Sequence, residues 1–356
     1  MGPRPLRWLS LAAAALPFLA LGLAQWDYVP IFDAREYTNC LMRVASPESV
    51  SFEDLSCALH SNHLWAFVSS FPLRFVPHSY PALLCMQLAL GVAALAAFRS
   101  LVELCVPGAP REAVALTALL GIAPTFAVGA VDLNPDFMIC AVLLWVLVAL
   151  AQRQFVRAAA LGLMLTFCKE TGFLLLTLAC VAHVIVFVLW PRAAWSERWR
   201  MLLRYAPLFV SPLAFLLWMQ TRTKTSPNEF VFNHTLSDLL RAFLTPRLGD
   251  GPPTAQLATL FVLQFGWVLV LLALPRWVQR LAALVRRGPP TDPPVHALLD
   301  LVLILGAWSL TRVKTGAIAR YMVPLLPLLL LQAYLSLRAF APRVRAVALM
   351  SVAALF

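Results

Sequence analysis

Apolar runs alternate with short polar breaks along almost the whole chain. Runs near 6–26, 81–105, 112–131, 136–152, 156–168, 172–190, 203–219, 256–275, 296–311 and 321–337 each read as a membrane span. About 20 apolar residues are needed to cross roughly 30 Å of hydrocarbon. An eleventh run opens near 345, and the chain ends inside it at Phe356, which reads as a chain cut short at its C-terminus. The pattern predicts an all-α fold, a polytopic transmembrane helical bundle of about 10–11 spans in a single domain over 1–356. Two polar stretches, about 27–80 and 220–255, are long enough to form outer-face loops bearing short helices. Long loops on one face of a bundle commonly build a site or a lid.

Composition narrows the class. The chain of 356 residues is 61% hydrophobic and 13% charged, with mean hydropathy +0.79. Soluble domains carry about 25% charged residues. The opening, "MGPRPLRWLSLAAAALPFLALGLAQW", resembles a signal peptide but lacks a good cleavage site, and reads as an uncleaved first helix. No Walker loop, no GxGxxG after a strand and no nucleic-acid motif is present. No repeat of fixed period is found, and the acids cluster outside, away from the bilayer midplane, which argues against a secondary transporter.

The net charge of +11 is distributed rather than clustered. With the N-terminus in the cytoplasm, the cytoplasmic turns hold 17 of the 28 basic residues and the outer loops 12 of the 17 acids. Both counts follow the positive-inside rule. They place the two long loops on a periplasmic or lumenal face, in a bacterial inner membrane or, in a eukaryote, the ER membrane.

Five cysteines, Cys85, Cys105, Cys140, Cys168 and Cys180, lie in or beside apolar runs and read as small core residues. Cys40 and Cys57 share one polar loop. They read either as a disulfide, in an oxidising compartment, or as two free thiols.

Against this apolar background a few polar stretches stand out. "PIFDAREYTN" puts Asp33, Glu36 and Tyr37 just after the first span, with Asp33 set among apolar residues. "GAVDLNPDFM" links the third and fourth spans. Its Pro135 and Asp136 are ordinary helix-start chemistry, and Asp136 is also a second carboxylate facing the first loop. "LTFCKETGF" follows a run of only about 13 residues, or roughly 20 Å of helix. Lys169 and Glu170 then lie below the surface, where charges are costly and usually functional. The pair either neutralises itself or presents a cation to an anionic head group. "TRVKTGAIARYMVPLLPLL" brings Arg312, Lys314 and Arg320 to the same face, with Tyr321 beside them. A guanidinium suits phosphate, or anchors a helix end. "HSNHLW" offers His60 and His63, but without a further ligand this is no metal site. Asn233-His234-Thr235 is a glycosylation sequon.

These pieces occur in a recognisable order: "FDAREY", then "SNHLWAFVSSFPLRFV", "DLNPD", "CKETG" and "RYMVPLLPLLLL". Over roughly 6–337 the chain resembles the GT-C polytopic glycosyltransferases, in the branch of the protein O-mannosyltransferases and the lipid A aminoarabinose transferase. It departs from them at Ala34, where many relatives carry a second acid, and at "NHLW" in place of "HPPL". The resemblance implies inverting transfer of a sugar from a polyprenyl- or dolichyl-phosphate donor to a protein, lipid or glycan acceptor. It implies Asp33 and Asp136 as catalytic carboxylates. Tyr37, Lys169, Glu170, Arg320 and Tyr321 would bind substrate, with Lys169 and Arg320 on the donor phosphate. The partners are the lipid-linked donor, the acceptor and the bilayer, with no nucleic acid. No cofactor is demanded; a divalent cation is compatible with the chemistry.

Overall fold

The computed structural model describes residues 4–27, 32–46, 57, 63–189, 195–221, 267–285, 293–313 and 322–355. Residues 222–255 of the second long loop with the sequon, Lys314, Arg320 and Tyr321 lie outside the described residues, and so do 47–56 and 58–62 of the first loop. Among the described residues the chain is all helix. The helices are α1 (Arg4–Leu23), α2 (Phe32–Val44), α3 (His63–Ser70), α4 (Tyr80–Cys105), α5 (Pro110–Ile122), α6 (Pro124–Val131) and α7 (Pro135–Ala151). They continue with α8 (Phe155–Thr166), α9 (Glu170–Val184), α10 (Trp195–Arg204), α11 (Ala206–Thr221), α12 (Trp267–Val285), α13 (Pro294–Val313), α14 (Leu326–Leu337) and α15 (Pro342–Leu355). A 3-10 turn, Phe71–Arg74, follows α3, and a π-helical segment, Ile185–Leu189, extends α9.

The chain is a polytopic membrane-helix bundle, and every predicted span contains a helix. Tyr80–Cys105 and Glu170–Leu189 are each long and apolar enough to cross a bilayer, and several other apolar helices are shorter. Two predicted spans differ in detail. The run 112–131 is broken into α5 and α6, bent by 58°. Pro124 is the cause: it cannot donate a backbone hydrogen bond, and it forces the residue before it out of the helical region. Ala123 accordingly has φ −59° and ψ 123°. The run predicted to end at 275 continues to Val285 in α12, straight through Pro275.

The bundle is organised around α7. It is apolar on every side and buried on nearly every side, as a central helix must be. It packs against α4, α8, α9 and α6. Phe137 on its first turns continues an aromatic ladder from Phe18 through Phe126, with ring centroids 5.5 and 5.1 Å apart. Gly91 on α4 lets this ladder close: a Cβ there would lie 2.2 Å from the Phe18 ring.

The end of the bundle holding the starts of α4, α7 and α9 is called the head, and the other end the tail. The tail is tied by buried polar contacts. His296 on α13 donates from Nε2 to the Cys105 carbonyl (3.1 Å) and accepts at Nδ1 from Arg276 (2.8 Å). Asp300 pairs with Arg280 and accepts from the Trp277 indole at 3.1 Å. His183 on α9 donates from Nε2 to the Leu150 carbonyl (2.9 Å) and accepts at Nδ1 from the Tyr205 hydroxyl. Each histidine thus puts a donor on a carbonyl in the last turn of α4 or α7; the Leu150 carbonyl also accepts from the Arg153 backbone N–H at 2.9 Å.

Candidate functional site

The head is where the predicted residues converge. Asn134 caps α7: its side-chain oxygen accepts from the Asp136 backbone N–H at 3.0 Å, and Pro135 opens the helix. This cap holds Asp136 in the first turn of α7, at the positive end of the helix dipole. Thirty-three residues later in the chain, Lys169 stands at the N-terminal boundary of α9. Its Nζ donates to Asp136 Oδ2 at 2.9 Å, and the Thr171 hydroxyl donates to Asp136 Oδ1 at 3.2 Å. The lysine side chain is fully buried and the aspartate 2% exposed. Two buried charges therefore meet at the N-termini of two adjacent helices. The dipole of α9 opposes the lysine, and the charge of the aspartate offsets that opposition.

A tight crossing delivers Lys169 to this position. Helix α8 has 12 residues, about 18 Å of helix, far less than the bilayer core. The chain turns back over only three residues, Phe167, Cys168 and Lys169. Gly172 then passes so close to α8 that a Cβ would lie 2.1 Å from the Leu165 carbonyl oxygen. The glycine in "CKETG" is a packing requirement.

The first loop closes over the same end. Helix α2 buries Ala34, Tyr37, Thr38, Leu41 and Val44, the i, i+3, i+4 stripe of a helix half-sunk in a surface. Arg35, Glu36, Asn39 and Arg43 are exposed on the opposite side. Tyr37 meets Trp65 of α3 edge to face, with centroids 5.1 Å apart. The Leu64 backbone N–H in turn donates to the Phe167 carbonyl at 3.0 Å, which docks α3 on the α8–α9 turn. At the other side of the head, the Tyr80 hydroxyl donates to the Val131 carbonyl at 3.0 Å. Asp33 occupies the first turn of α2, one turn before Tyr37.

Cys40 and Cys57 form a disulfide, with Cα atoms 5.7 Å apart. It returns the loop after α2 onto α2 itself. Closing a loop of this size stabilises a fold by about 3 kcal/mol in the chain-entropy account. Cys40→Ser with Cys57→Ser should lower the thermal midpoint by that order. A reductant should shift the wild type equally and leave the double variant unmoved; an unchanged midpoint in both would show that the bond carries no stability. Of the cysteines expected in the core, Cys105, Cys140, Cys168 and Cys180 are buried, but Cys85 is exposed on the outer surface of α4.

Among the sequence-predicted residues, the structure thus joins Asp136 with Lys169 and sets Tyr37 in the neighbouring wall. Glu170 is half-buried at the start of α9. The sequence suggested that Lys169 is neutralised by Glu170 or waits for an anion; its buried partner is Asp136. Asn134 and Thr171 were missed. Asn before Pro-Asp is a helix-cap signal, whereas nothing local marks Thr171 as a ligand of a carboxylate in another helix. No group of three or more potential metal ligands occurs among the described residues.

No family profile and no curated protein sequence matches the chain. Solved structures do. The aminoarabinose transferase ArnT from Cupriavidus metallidurans, bound to undecaprenyl phosphate, superposes with a TM-score of 0.61 at 17% identity, over 96% of this chain. The Archaeoglobus fulgidus oligosaccharyltransferase does so with a TM-score of 0.63 at 13% identity, over 99% of this chain. This chain has the GT-C fold. It spans 62% of the ArnT chain and 55% of the oligosaccharyltransferase chain. The GT-C fold of both neighbours is that of membrane glycosyltransferases, and ArnT carries a polyprenyl phosphate in one of the matching structures.

Proposed function

We propose that this chain is an integral membrane glycosyltransferase that moves a sugar from a polyprenyl- or dolichyl-phosphate donor to an acceptor at the head of the bundle, on the periplasmic or lumenal side. The observation that carries this reading is the buried Lys169–Asp136 pair, set at the joined N-termini of α7 and α9 in a GT-C fold. The disulfide between Cys40 and Cys57 supports the sidedness, since such bonds persist in oxidising compartments.

In the proposed reaction, Asp33 takes the proton of an acceptor hydroxyl. The oxygen forms a bond to the anomeric carbon as the bond from that carbon to the donor phosphate breaks, from the opposite face, so the configuration inverts. The leaving polyprenyl phosphate gains charge as it departs. Lys169 and Arg320 are assigned to stabilise that charge, since fixed cations act strongly in a low-dielectric setting. Asp136 is assigned to orient the Lys169 ammonium through its bond at Oδ2. Tyr37, Glu170 and Tyr321 complete the proposed substrate-binding set. A second reading, a protein that binds polyprenyl lipid without transferring sugar, is favoured by the complete burial of Lys169.

Transfer of radiolabelled sugar from polyprenyl-phosphate donors, in membranes holding the full chain, separates the two. Wild type should transfer, and Asp33→Asn should transfer at least roughly 100-fold more slowly while retaining donor binding. Wild-type rates in Asp33→Asn would put the base elsewhere. Donor binding with no transfer even by wild type would favour the second reading.

A further inference from the structure

Helix α10, "WSERWRMLLR", lies at the tail, between the π-helical segment that ends at Leu189 and Tyr205, which donates to His183. Ten residues long, it buries none of them. Met201 and Leu202 are half-buried and rest against the bundle core. A second apolar stripe faces away. Trp195, Trp199 and Leu203 recur every fourth residue and are 63%, 53% and 67% exposed. The two indoles pack edge to face, with centroids 6.0 Å apart, so they form one surface. Arg200 and Arg204, both exposed, each follow a member of the stripe by one position, which sets them about 100° round the helix. The segment holds three arginines against one acid, Glu197.

A helix with one edge on a membrane bundle, tryptophans on a free apolar stripe and arginines beside it matches the chemistry of the bilayer interface. Indoles settle at the head-group level. Interfacial helices pair that apolar face with basic residues facing anionic lipid. We infer that α10 lies in the bilayer interface at the tail of the bundle, with Trp195, Trp199 and Leu203 in the acyl boundary and Arg200 and Arg204 on the phosphates of anionic glycerophospholipids. This surface is distinct from the head and does not rest on the proposed transfer reaction. In the orientation given by the positive-inside count it faces the cytoplasmic leaflet, whose anionic lipids attract basic segments.

The test uses the full chain in vesicles of phosphatidylcholine, with or without phosphatidylglycerol, one lipid at a time carrying bromine on its acyl chains. The difference in fluorescence between wild type and Trp195→Phe/Trp199→Phe isolates the two indoles. Acyl bromine should quench that difference signal, and aqueous iodide should not. Brominated phosphatidylglycerol should be enriched at these indoles by about fivefold per arginine. Arg200→Gln/Arg204→Gln should abolish the enrichment while keeping the thermal midpoint in detergent. Quenching by iodide would overturn the inference. So would equal quenching by the two lipids, or protection that grows with protein concentration, which would assign the stripe to a second copy of the chain.

Discussion

Lys169→Met alone is expected to destabilise the protein by about 3–5 kcal/mol, the cost of leaving a buried carboxylate without its cation. Asp136→Asn alone should also destabilise, because it removes the buried charge that faces the lysine at 2.9 Å. The double variant Asp136→Asn/Lys169→Met should regain most of that loss, since replacing a buried ion pair by groups of similar volume is often neutral. The two side chains are 2.9 Å apart and essentially without solvent, so screening does not dilute the effect. Thermal unfolding in detergent, run as a double-mutant cycle, measures this directly. Additive losses would mean that the two charges do not depend on one another. The same cycle separates stability from function. If the pair only braces the bundle, the double variant should recover sugar transfer with stability. If Lys169 also faces the donor phosphate, the refolded double variant should stay without transfer.

Gly172→Ala is the second large effect. The added methyl would lie 2.1 Å from the Leu165 carbonyl oxygen, and that neighbour is backbone. A flexible side chain could move aside; a carbonyl in the last turn of α8 cannot without opening the α8–α9 turn. Overpacking costs of about 3 kcal/mol are expected at such a site. The turn carries Lys169 and Thr171, so the damage should reach Asp136 as well. Gly162→Ala is the control: its methyl would meet side chains rather than backbone, Leu176 at 3.1 Å and the Ser211 hydroxyl at 3.6 Å. The thermal midpoint should fall far more for Gly172→Ala than for Gly162→Ala. Equal shifts would show that the α8–α9 crossing is looser than described.

Much of this architecture was readable from hydrophobic runs, because a bilayer demands long apolar segments and closes their backbone hydrogen bonds internally. The shortness of α8, and hence the depth of Lys169, was legible for the same reason. The break at Ala123 was signalled by Pro124 but masked by an unbroken apolar run on both sides. The end of α12 was placed too early, at Pro275. Beyond it the segment turns polar, and Arg276, Trp277 and Arg280 remain helical because His296 and Asp300 of α13 receive them. A window along one chain cannot see partners supplied by another helix. The same limit hid the union of Lys169 with Asp136, which are remote in sequence. The sequence offered only the neighbouring Glu170 or an external anion as the counter-charge of Lys169, and the carboxylate across the bundle could not be seen from either stretch alone.

His183 at the tail bears on how thick a membrane this protein can fit. Helix α7 has 17 residues, short of the roughly 20 that a bilayer core asks for. A span too short for its membrane ordinarily leaves its last carbonyls facing hydrocarbon, or thins the lipid until water reaches them. The Leu150 carbonyl at the end of α7 instead accepts from the Arg153 backbone N–H and from His183 Nε2, inside the protein. Helix α7 can therefore stop beneath the membrane surface with that carbonyl already satisfied. Hydrophobic mismatch is met there by a side chain, with no deformation of the lipid required at that position.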